Sequence, residues 1–498
     1  MSDAAIGQSD EESHGHLTGY GSKGYRSYVL IALMVVYTLN FIDRNLMGVL
    51  AQPIINSFGL TDAQFGFLAG WPFALFYAVM GLPIAMAADK FNRVHIIVIC
   101  ITLWSIMTAM CGLAAGFLAL LVFRVGVAIG EAGCTPPANS IIGDYYPPKS
   151  RATALGIYSM GVTIGGVLAY LFAGPIAEME GAAFGAWLDG IGIGGLFSGI
   201  NWETTEGWRI AFVVIGLPGV LIAAILLFTI KEPPRGYSDP PSANKVEKAG
   251  LKDTLKELSG KPSFWWMAIG AALVAFVGYG LFTFQIPFLM REHGLGVREA
   301  SLRFGAPLSA LGALGTFLGG YLTEKLTKRL PTAVAWVPAI GLLIAIPMYI
   351  GAFYATDLRL VFAFWAVGGL CHYAYLGAQY NIGQGVVSSR SRATAIAILL
   401  IIVSIIGNGV GPQFVGIVSD MFTGANLNGS VFPELTKAMC AAKDGLSAEQ
   451  LTVCAKATST GLKQSISVTV CWFFLASFCF IMSARTLKRD FVADLGAA

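Results

Sequence analysis

The chain has 498 residues, of which 55% are hydrophobic and only 12% are charged, and its formal net charge at pH 7 is +3. A soluble domain carries about 25% charged residues, so this composition excludes an ordinary soluble fold and favours the lipid bilayer as solvent. The small net charge argues against a nucleic-acid partner. Walker A and H-E-x-x-H motifs and zinc-type cysteine spacing are absent from the sequence, which argues against an ATP-driven pump, an enzyme, and a metal or cofactor site.

Hydropathy predicts twelve membrane-spanning helices, because twelve apolar runs reach the roughly 20 residues needed to cross a bilayer core. An even number of spans places both termini on the same side of the membrane. The predicted spans are residues 27–54, 63–88, 94–116, 118–146, 150–177, 208–230, 263–290, 300–323, 331–354, 358–387, 392–422 and 463–484.

The charges of the connecting segments predict the side on which the termini lie. Lysine and arginine cluster in alternate connections and in both tails, whereas the connection 178–206 on the opposite side is acidic. The positive-inside rule therefore predicts that both termini are cytoplasmic. The first 26 residues lack the apolar core of a cleavable signal, so we expect the first span to direct insertion into the cell membrane.

A long polar connection divides the chain into two sets of six spans, and within it Leu251–Leu258 is predicted to be an amphipathic helix at the membrane surface. The predicted fold class is an all-α membrane protein with two pseudo-symmetric six-helix bundles. The predicted segments are a cytoplasmic tail (1–26), an N-terminal bundle (27–230), a cytoplasmic linker (231–261), a C-terminal bundle (262–485) and a second cytoplasmic tail (486–498).

Two short motifs recur in the two halves. The residues Ser-Arg-Ala-Thr-Ala occupy 150–154 and again 391–395, an offset of 241. The charged run 89–93 is echoed by 324–328, an offset of 235. Two echoes at nearly equal offset, each at a corresponding helix end, indicate an internal duplication. Parallel repeats with a site at their interface are one of the known plans of secondary transporters.

Four ionisable residues lie in the apolar middle of predicted spans, where a charge costs roughly 2.5–3.5 kcal/mol on insertion scales. Asp43 and Arg44 occupy the first span, and Arg124 and Glu131 occupy the fourth. Seven residues are close to two helical turns, so Arg124 and Glu131 share one face. Neighbours such as Asp43 and Arg44 point about 100° apart and are unlikely partners for each other. We predict that the four groups converge on one polar cavity; the alternative is a fixed ion-pair network that locks the helices.

With all four groups ionised their charges sum to zero. Protonation of one carboxylate leaves the cluster at +1 and releases an arginine, which could then hold an anionic headgroup through a two-pronged contact. Either carboxyl could fill the role of proton carrier on this reasoning alone.

Over nearly its whole length the chain resembles the major facilitator superfamily. The loop after the second span has the family form G-x-x-x-D-R/K-x-G-R/K in its charged positions Asp89, Lys90 and Arg93, although Ala85 and Asn92 replace the glycines. Within the superfamily it resembles the bacterial members of the Spinster group. The residues that carry this second resemblance are Asp43-Arg44, the run from Arg124 to Gly130-Glu131-Ala132, and Glu232-Pro233-Pro234-Arg235-Gly236.

The resemblance implies a proton-linked secondary transporter of the inner membrane that works by alternating access. Lysophospholipids or sphingosine-phosphate-like lipids are the implied substrates. It favours Asp43 as the proton carrier, with Glu131 second, and Arg44 and Arg124 as headgroup ligands. It also implies a cytoplasmic latch that holds neighbouring helices together in the outward-open state. The expected latch residues are Asp89, Lys90, Arg93, Arg151, Glu324, Lys325 and Arg392.

The resemblance also assigns the first, fourth, seventh and tenth spans to the cavity. An aromatic wall in the second half would suit the apolar tail of an amphiphile, although helix packing explains most aromatic residues individually. His372 fits a buried hydrogen-bonding role better than a proton carrier. The expected wall residues are Tyr279, Phe282, His372, Tyr373 and Tyr380.

Cys440 and Cys454 lie in a polar segment, 424–462, that is predicted to face the outside, where a disulfide between them could persist. The expected partners of the protein are protons, the bilayer and a lipid or small amphiphilic anion, and the fold needs no second subunit, so we expect a monomer. Two alternatives remain: a transporter of small organic anions such as sugar acids, and a membrane-embedded enzyme or non-transporting sensor.

Overall fold

The structure is a computed structural model that describes residues 18–192, 194–197, 199–239 and 250–491. Within these ranges the chain is all-α and contains no β-strand, as the sequence predicts. Parts of the predicted tails and linker (1–17, 240–249 and 492–498) lie outside the described residues.

The described helices before the linker begin with one long helix and continue mostly as pairs separated by short breaks. They are α1 (Lys23–Val49), α2 (Ala51–Phe58), α3 (Asp62–Ala69), α4 (Trp71–Lys90), α5 (Arg93–Gly112), α6 (Phe117–Ala132), α7 (Thr135–Tyr145), α8 (Pro148–Ala177), α9 (Gly181–Gly190), α10 (Gly207–Gly216) and α11 (Pro218–Thr229).

The described helices from the linker onward include the longest helix of the chain. They are α12 (Leu251–Ser259), α13 (Pro262–His293), α14 (Val297–Ala300), α15 (Ala306–Thr327), α16 (Ala333–Tyr354), α17 (Leu358–His372), α18 (Tyr375–Gly385), α19 (Arg392–Val403), α20 (Gly411–Asn428), α21 (Lys437–Ala442) and α22 (Ala448–Asp490). Single π-helical stretches join α14 to α15 (Ser301–Gly305) and α19 to α20 (Ser404–Val410).

Among the described residues, eleven helical segments are long and apolar enough to cross a membrane. They correspond to eleven of the twelve predicted spans. The remaining prediction, 300–323, falls on α15, which has 22 residues but is glycine-rich and is not among the eleven. Large apolar side chains on the spanning segments are exposed, for example Leu82 at 68%, Leu118 at 69% and Phe228 at 85%. Such exposure fits helices that face lipid tails.

The last helix begins well before the predicted span 463–484. Ser447 and Gln450 form a capping box, in which each side chain accepts a hydrogen bond from the backbone N–H of the other residue. This cap starts α22 in a polar stretch that hydropathy alone does not identify as helical. At 43 residues α22 is about 64 Å long, so roughly half of it extends beyond a 30 Å hydrocarbon core.

The chain divides into two compact units. Unit 1 comprises the described parts of Met1–Leu46, Phe76–Phe172 and Met179–Glu247. Unit 2 comprises those of Met47–Leu75, Ala173–Glu178 and Lys248–Ala498, so part of the predicted N-terminal bundle groups with the second half. The core of unit 2 forms where α13, α16 and α20 pack on α22. The predicted division into bundles at the linker remains a prediction.

Candidate functional site

Unit 1 contains all four ionisable residues that the sequence places inside spans. Arg44 on α1 forms an ion pair with Glu131 on α6: Arg44 Nη2 and Nε donate to Glu131 Oε2 at 2.9 and 3.1 Å. The Glu131 side chain is completely buried, whereas that of Arg44 is 17% exposed. The arginine is therefore the member of the pair that is open to an incoming molecule.

Asp43 lies in the packed interior and is only 2% exposed. It interacts electrostatically with Glu131 and Arg124, and Trp104 and Thr108 on α5 lie beside it. Within the described residues no hydrogen bond of ordinary geometry reaches Asp43 Oδ1. Arg124 is equally buried, at 2% exposure. Asp43 and Arg44 thus make different direct contacts, although Glu131 interacts with both of them.

Aromatic rings surround the exposed side of Arg44. Its guanidinium carbon lies 4.9 Å from the centre of the Phe41 ring and 4.8 Å from that of Tyr77. Tyr37 packs edge-on against Phe41, at 5.1 Å between ring centres. Such cation–π contacts use the faces of the planar guanidinium and hold it in place, whereas its hydrogen bonds to Glu131 use its edge. The surroundings of Arg44 therefore combine a fixed positive charge with apolar surface.

Glycines allow the helices that carry these charges to approach closely. A Cβ at Gly130, next to Glu131, would lie 2.7 Å from the backbone nitrogen of Trp104, so α6 packs directly on α5 there. A Cβ at Gly165 on α8 would lie 2.5 Å from the carbonyl oxygen of Thr38 on α1. Both contacts meet backbone atoms, which cannot move aside as a flexible side chain would. The position of the charged cluster thus depends on these small residues.

The predicted wall residues of the second half lie in unit 2. His372 is buried at 3% exposure; its Nδ1 lies 3.2 Å from the hydroxyl of Tyr349, and its ring stacks on Tyr373 at 4.7 Å. Tyr380 is 40% exposed, and Tyr279 and Phe282 are half-buried. The environment of His372 fits the hydrogen-bonding role expected for it.

The loop predicted to act as a latch is organised by Arg93, which is buried at 1% exposure. Arg93 Nη1 donates to Asp144 at 2.5 Å, and Arg93 Nε donates to Glu232 at 2.6 Å. Glu232 also accepts from the backbone nitrogens of Arg93 and Val94. The ends of three predicted spans are therefore joined by one arginine and two carboxylates.

The Glu-Pro-Pro-Arg-Gly segment completes this loop, a role the sequence alone does not indicate. Arg235 Nη2 donates to the carbonyl oxygens of Ala88 and Phe91 at 2.8 Å each, where α4 ends. Gly236 N donates to Asp144 Oδ1 at 2.8 Å. A cation at a helix C-terminus satisfies carbonyls that have no partner within the helix.

The other predicted latch residues differ between the two halves. Arg151 pairs with Asp239 at 2.9 Å. In the second half Glu324 pairs with Lys328 at 3.6 Å and both are exposed, while Lys325 lies over the ring of Tyr321. Asp89 and Lys90 are exposed and Arg392 is half-buried. The repeated sequence therefore does not produce repeated contacts, and the latch role of this set remains a prediction.

Unit 2 contains a buried ion pair that the sequence does not reveal. Arg291 at the end of α13 donates to both carboxylate oxygens of Asp62, at 2.7 and 2.8 Å, and to Gln52 Oε1 at 2.7 Å. Ser419 Oγ donates to Asp62 at 2.6 Å, and Asp420 accepts from the backbone nitrogen of Asp62 at 3.1 Å. These residues stand at the ends of spans, where charges resemble ordinary loop residues. The only hint of burial in the sequence is that no long polar segment lies next to Asp62.

Cys440 and Cys454 are joined by a disulfide bond in the structure. The bond links α21 to the early part of α22 and belongs to a small apolar cluster with Leu427, Leu435 and Ala457.

Comparison with known proteins identifies the family to which the fold belongs. A model of the Major Facilitator Superfamily matches residues 33–412. The crystal structure of a bacterial homologue of the human lysosomal transporter Spinster, in an inward-facing and unoccupied conformation, is 56% identical, with a TM-score of 0.90 over 95% of this chain and 100% of that one.

Two curated relatives extend the comparison. An MFS-type efflux pump from Mycolicibacterium smegmatis is 31% identical over 84% of this chain and 89% of its own length. A hexuronate transporter from Bacillus subtilis is 24% identical over 60% of this chain and 65% of its own length. These similarities are those of a multi-pass membrane transporter and not of an enzyme. The chain therefore belongs to the major facilitator superfamily and is a secondary transporter of the Spinster type.

Proposed function

We propose that this transporter moves an anionic amphiphile, such as a lysophospholipid or a sphingosine-phosphate-like lipid, by alternating access coupled to protons. The observation that carries the proposal is the environment of Arg44. It combines an ion pair with fully buried Glu131, partial exposure, and the rings of Phe41 and Tyr77 around the guanidinium. A phosphate or carboxylate headgroup would match the guanidinium, and the adjoining rings would cover the first part of an apolar tail.

Proton coupling follows from competition for that arginine. Glu131 Oε2 occupies the two N–H groups of Arg44 that a headgroup would need. Protonation within the cluster weakens the hold of Glu131 on Arg44, and an arriving anion then restores electroneutrality. Leaving an ionised arginine buried without a counter-charge is costly, so proton uptake and anion binding favour each other.

We assign the proton to Asp43 first and to Glu131 second. Asp43 interacts with both Glu131 and Arg124, so its charge state acts on the Arg44–Glu131 pair and on Arg124 at once. It is also 2% exposed, which keeps a headgroup from reaching it directly. Arg124 then serves as the second cation of the cluster. For Tyr279, Phe282, Tyr373 and Tyr380, the role of wall residues remains the prediction that the family resemblance implies.

A small organic anion is the second candidate substrate, and the likeness to the hexuronate transporter is the observation that favours it. Purified protein in proteoliposomes should be tested with fluorescent lysophosphatidylglycerol, sphingosine 1-phosphate and radiolabelled glucuronate. The proposal predicts uptake of one or both lipids and none of glucuronate, with loss of uptake in Arg44→Gln. Uptake of glucuronate alone would show that the substrate is a sugar acid and not a lipid.

We expect the protein to act as a monomer in the inner membrane with both termini in the cytoplasm. Protease cleavage of a tag fused to either end, in right-side-out and inverted vesicles, tests that orientation. Cleavage only in inverted vesicles is the predicted result.

A further inference from the structure

The linker helix α12 has two distinct faces. Thr254 and Leu258 are fully buried, and both point toward unit 2. Leu251 is 60% exposed and Leu255 is 40% exposed. At 100° per residue, these two leucines form a stripe beside the buried face, and Asp253 lies about 160° around the helix from Leu255. One apolar stripe of α12 is therefore left uncovered by the part of the chain that the structure describes.

Two lysines border this stripe. Lys252 and Lys256 are one helical turn apart and both are exposed. They project from the rim of the helix between the leucine stripe and the face that carries Asp253. A helix with apolar residues on one side and lysines at the rim is the arrangement that binds anionic lipid surfaces.

The position of α12 in the chain puts this stripe at the level of the lipid headgroups. Only Gly260 and Lys261 separate α12 from α13, which is one of the spanning segments. Trp265, in the first turn of α13, donates from Nε1 to the carbonyl oxygen of Leu258 at 3.0 Å. Tryptophan is enriched at the membrane–water interface, so this contact fixes the end of α12 at that depth.

The same helix is bound firmly to the start of α19. Glu257 accepts hydrogen bonds from Ser388 N at 2.6 Å, from Ser388 Oγ at 3.1 Å and from Ser391 Oγ at 2.6 Å. Ser391 is the residue immediately before α19, so a linker carboxylate satisfies the polar groups at that helix end. The hydrogen bonds of Glu257 would therefore transmit a movement of α12 to α19.

We propose that α12 docks on the anionic surface of the bilayer through its leucine stripe and its two lysines. Glu257 connects this docked helix to α19, so headgroup charge acts on the second half of the transporter. The proposal does not depend on the identity of the transported substrate.

Spin labels at two positions of α12 test the proposal in the full-length protein. Leu255→Cys and Asp253→Cys are each introduced into a background in which Cys371 and Cys471 are replaced by serine. The protein is reconstituted into phosphatidylcholine vesicles, with or without one part in three of phosphatidylglycerol. Collision of each label with oxygen, which partitions into lipid, and with a water-soluble nickel chelate is then measured.

The expected result is a several-fold higher oxygen-to-nickel ratio at position 255 than at position 253. Phosphatidylglycerol should raise the ratio at 255 further. The pair Lys252→Gln and Lys256→Gln should remove that increment, whereas Asp253→Asn, made with the label at 255, should leave it in place. High salt should also reduce it, because the attraction is screened.

Three results would overturn the proposal. Equal access of the nickel chelate to both positions would show that the stripe faces water. A label at 255 shielded from both reagents, with spin–spin broadening, would indicate contact with a second copy of the chain. A lipid-exposed label that is insensitive to phosphatidylglycerol and to the lysine substitutions would exclude recognition of anionic headgroups.

Discussion

The buried pair of Arg291 and Asp62 offers the sharpest test of how charges are held in unit 2. The side chains are 11% and 5% exposed, and the arginine binds both oxygens of the carboxylate. Asp62→Asn keeps the shape of the side chain and removes its charge. Arg291 is then left buried without a carboxylate counter-charge, although its Nε still donates to Gln52 Oε1. We expect this variant to be markedly less stable than the wild type.

The magnitude follows from the cost of leaving one charge of a buried pair without its partner. Breaking such a pair costs about 3–5 kcal/mol. Ser419 still donates to residue 62, so we expect the lower end, about 3 kcal/mol, for Asp62→Asn. Arg291→Gln should cost a similar amount. The double variant removes both charges and should cost less than the sum of the two single variants by about 2–3 kcal/mol.

Unfolding in mixed detergent–SDS micelles, followed by tryptophan fluorescence, measures these free energies. The exposed pair Arg303–Glu299, whose side chains are 66% and 42% exposed, is a matched control on the same unit. Its double-mutant cycle should give a coupling below about 0.5 kcal/mol. If the Asp62 and Arg291 variants add within about 0.5 kcal/mol, the two groups do not act as a pair and the reasoning is wrong.

Three further predictions concern the latch loop, the linker and the disulfide. Arg93→Gln leaves two carboxylates without their cation, so amide hydrogen exchange should rise across residues 88–94. The control Lys90→Gln should change this exchange little. Equal effects of the two substitutions would contradict the contacts of Arg93. Partial burial raises the pKa of the Glu257 carboxyl, but hydrogen bonds from Ser391 and Ser388 outweigh it, and the pKa lies below its usual 4.5. The hydrogen bonds of Glu257 to the start of α19 are therefore present above pH 4.5 and are lost as the pH falls through the lowered pKa. Amide hydrogen exchange at residues 388–391 should increase in that pH range. Glu257→Gln should abolish this pH dependence. Reduction of the Cys440–Cys454 bond should loosen residues 437–454 without unfolding the spans, and free thiols found at both positions without reductant would contradict it.

The sequence is most informative where a single charged residue interrupts an apolar run. A charge in an apolar run is visible without a structure, and Asp43, Arg44, Arg124 and Glu131 were all identified in this way. Helical periodicity also predicts that Asp43 and Arg44 point about 100° apart and are not each other's main partner. The sequence could not assign Glu131 as the partner of Arg44, because that contact joins residues 87 positions apart on separate helices.

The contacts of charged residues at the ends of spans are the least predictable from the sequence. Asp62 and Arg291 resemble loop charges that water would solvate, and they are buried because α3 packs on α20 and α2 packs on α13 in unit 2. Glu232 and Arg235 belong to a motif that indicates the family, but that motif does not predict their contacts with the loop at Arg93. The start of α22 was missed for a related reason, since a capping box and not hydropathy sets it.

Uptake driven by an imposed pH gradient tests the central claim most directly. Proteoliposomes that contain wild-type protein or Asp43→Asn should be compared for lipid uptake at several gradients, with Asp444→Asn, an exposed carboxylate, as the control. We predict that uptake by the wild type and by the control rises with the gradient, while folded Asp43→Asn shows none of this dependence. Wild-type protein whose uptake ignores the gradient, or an Asp43→Asn variant that follows it unchanged, would contradict the coupling of protons to the buried charge cluster.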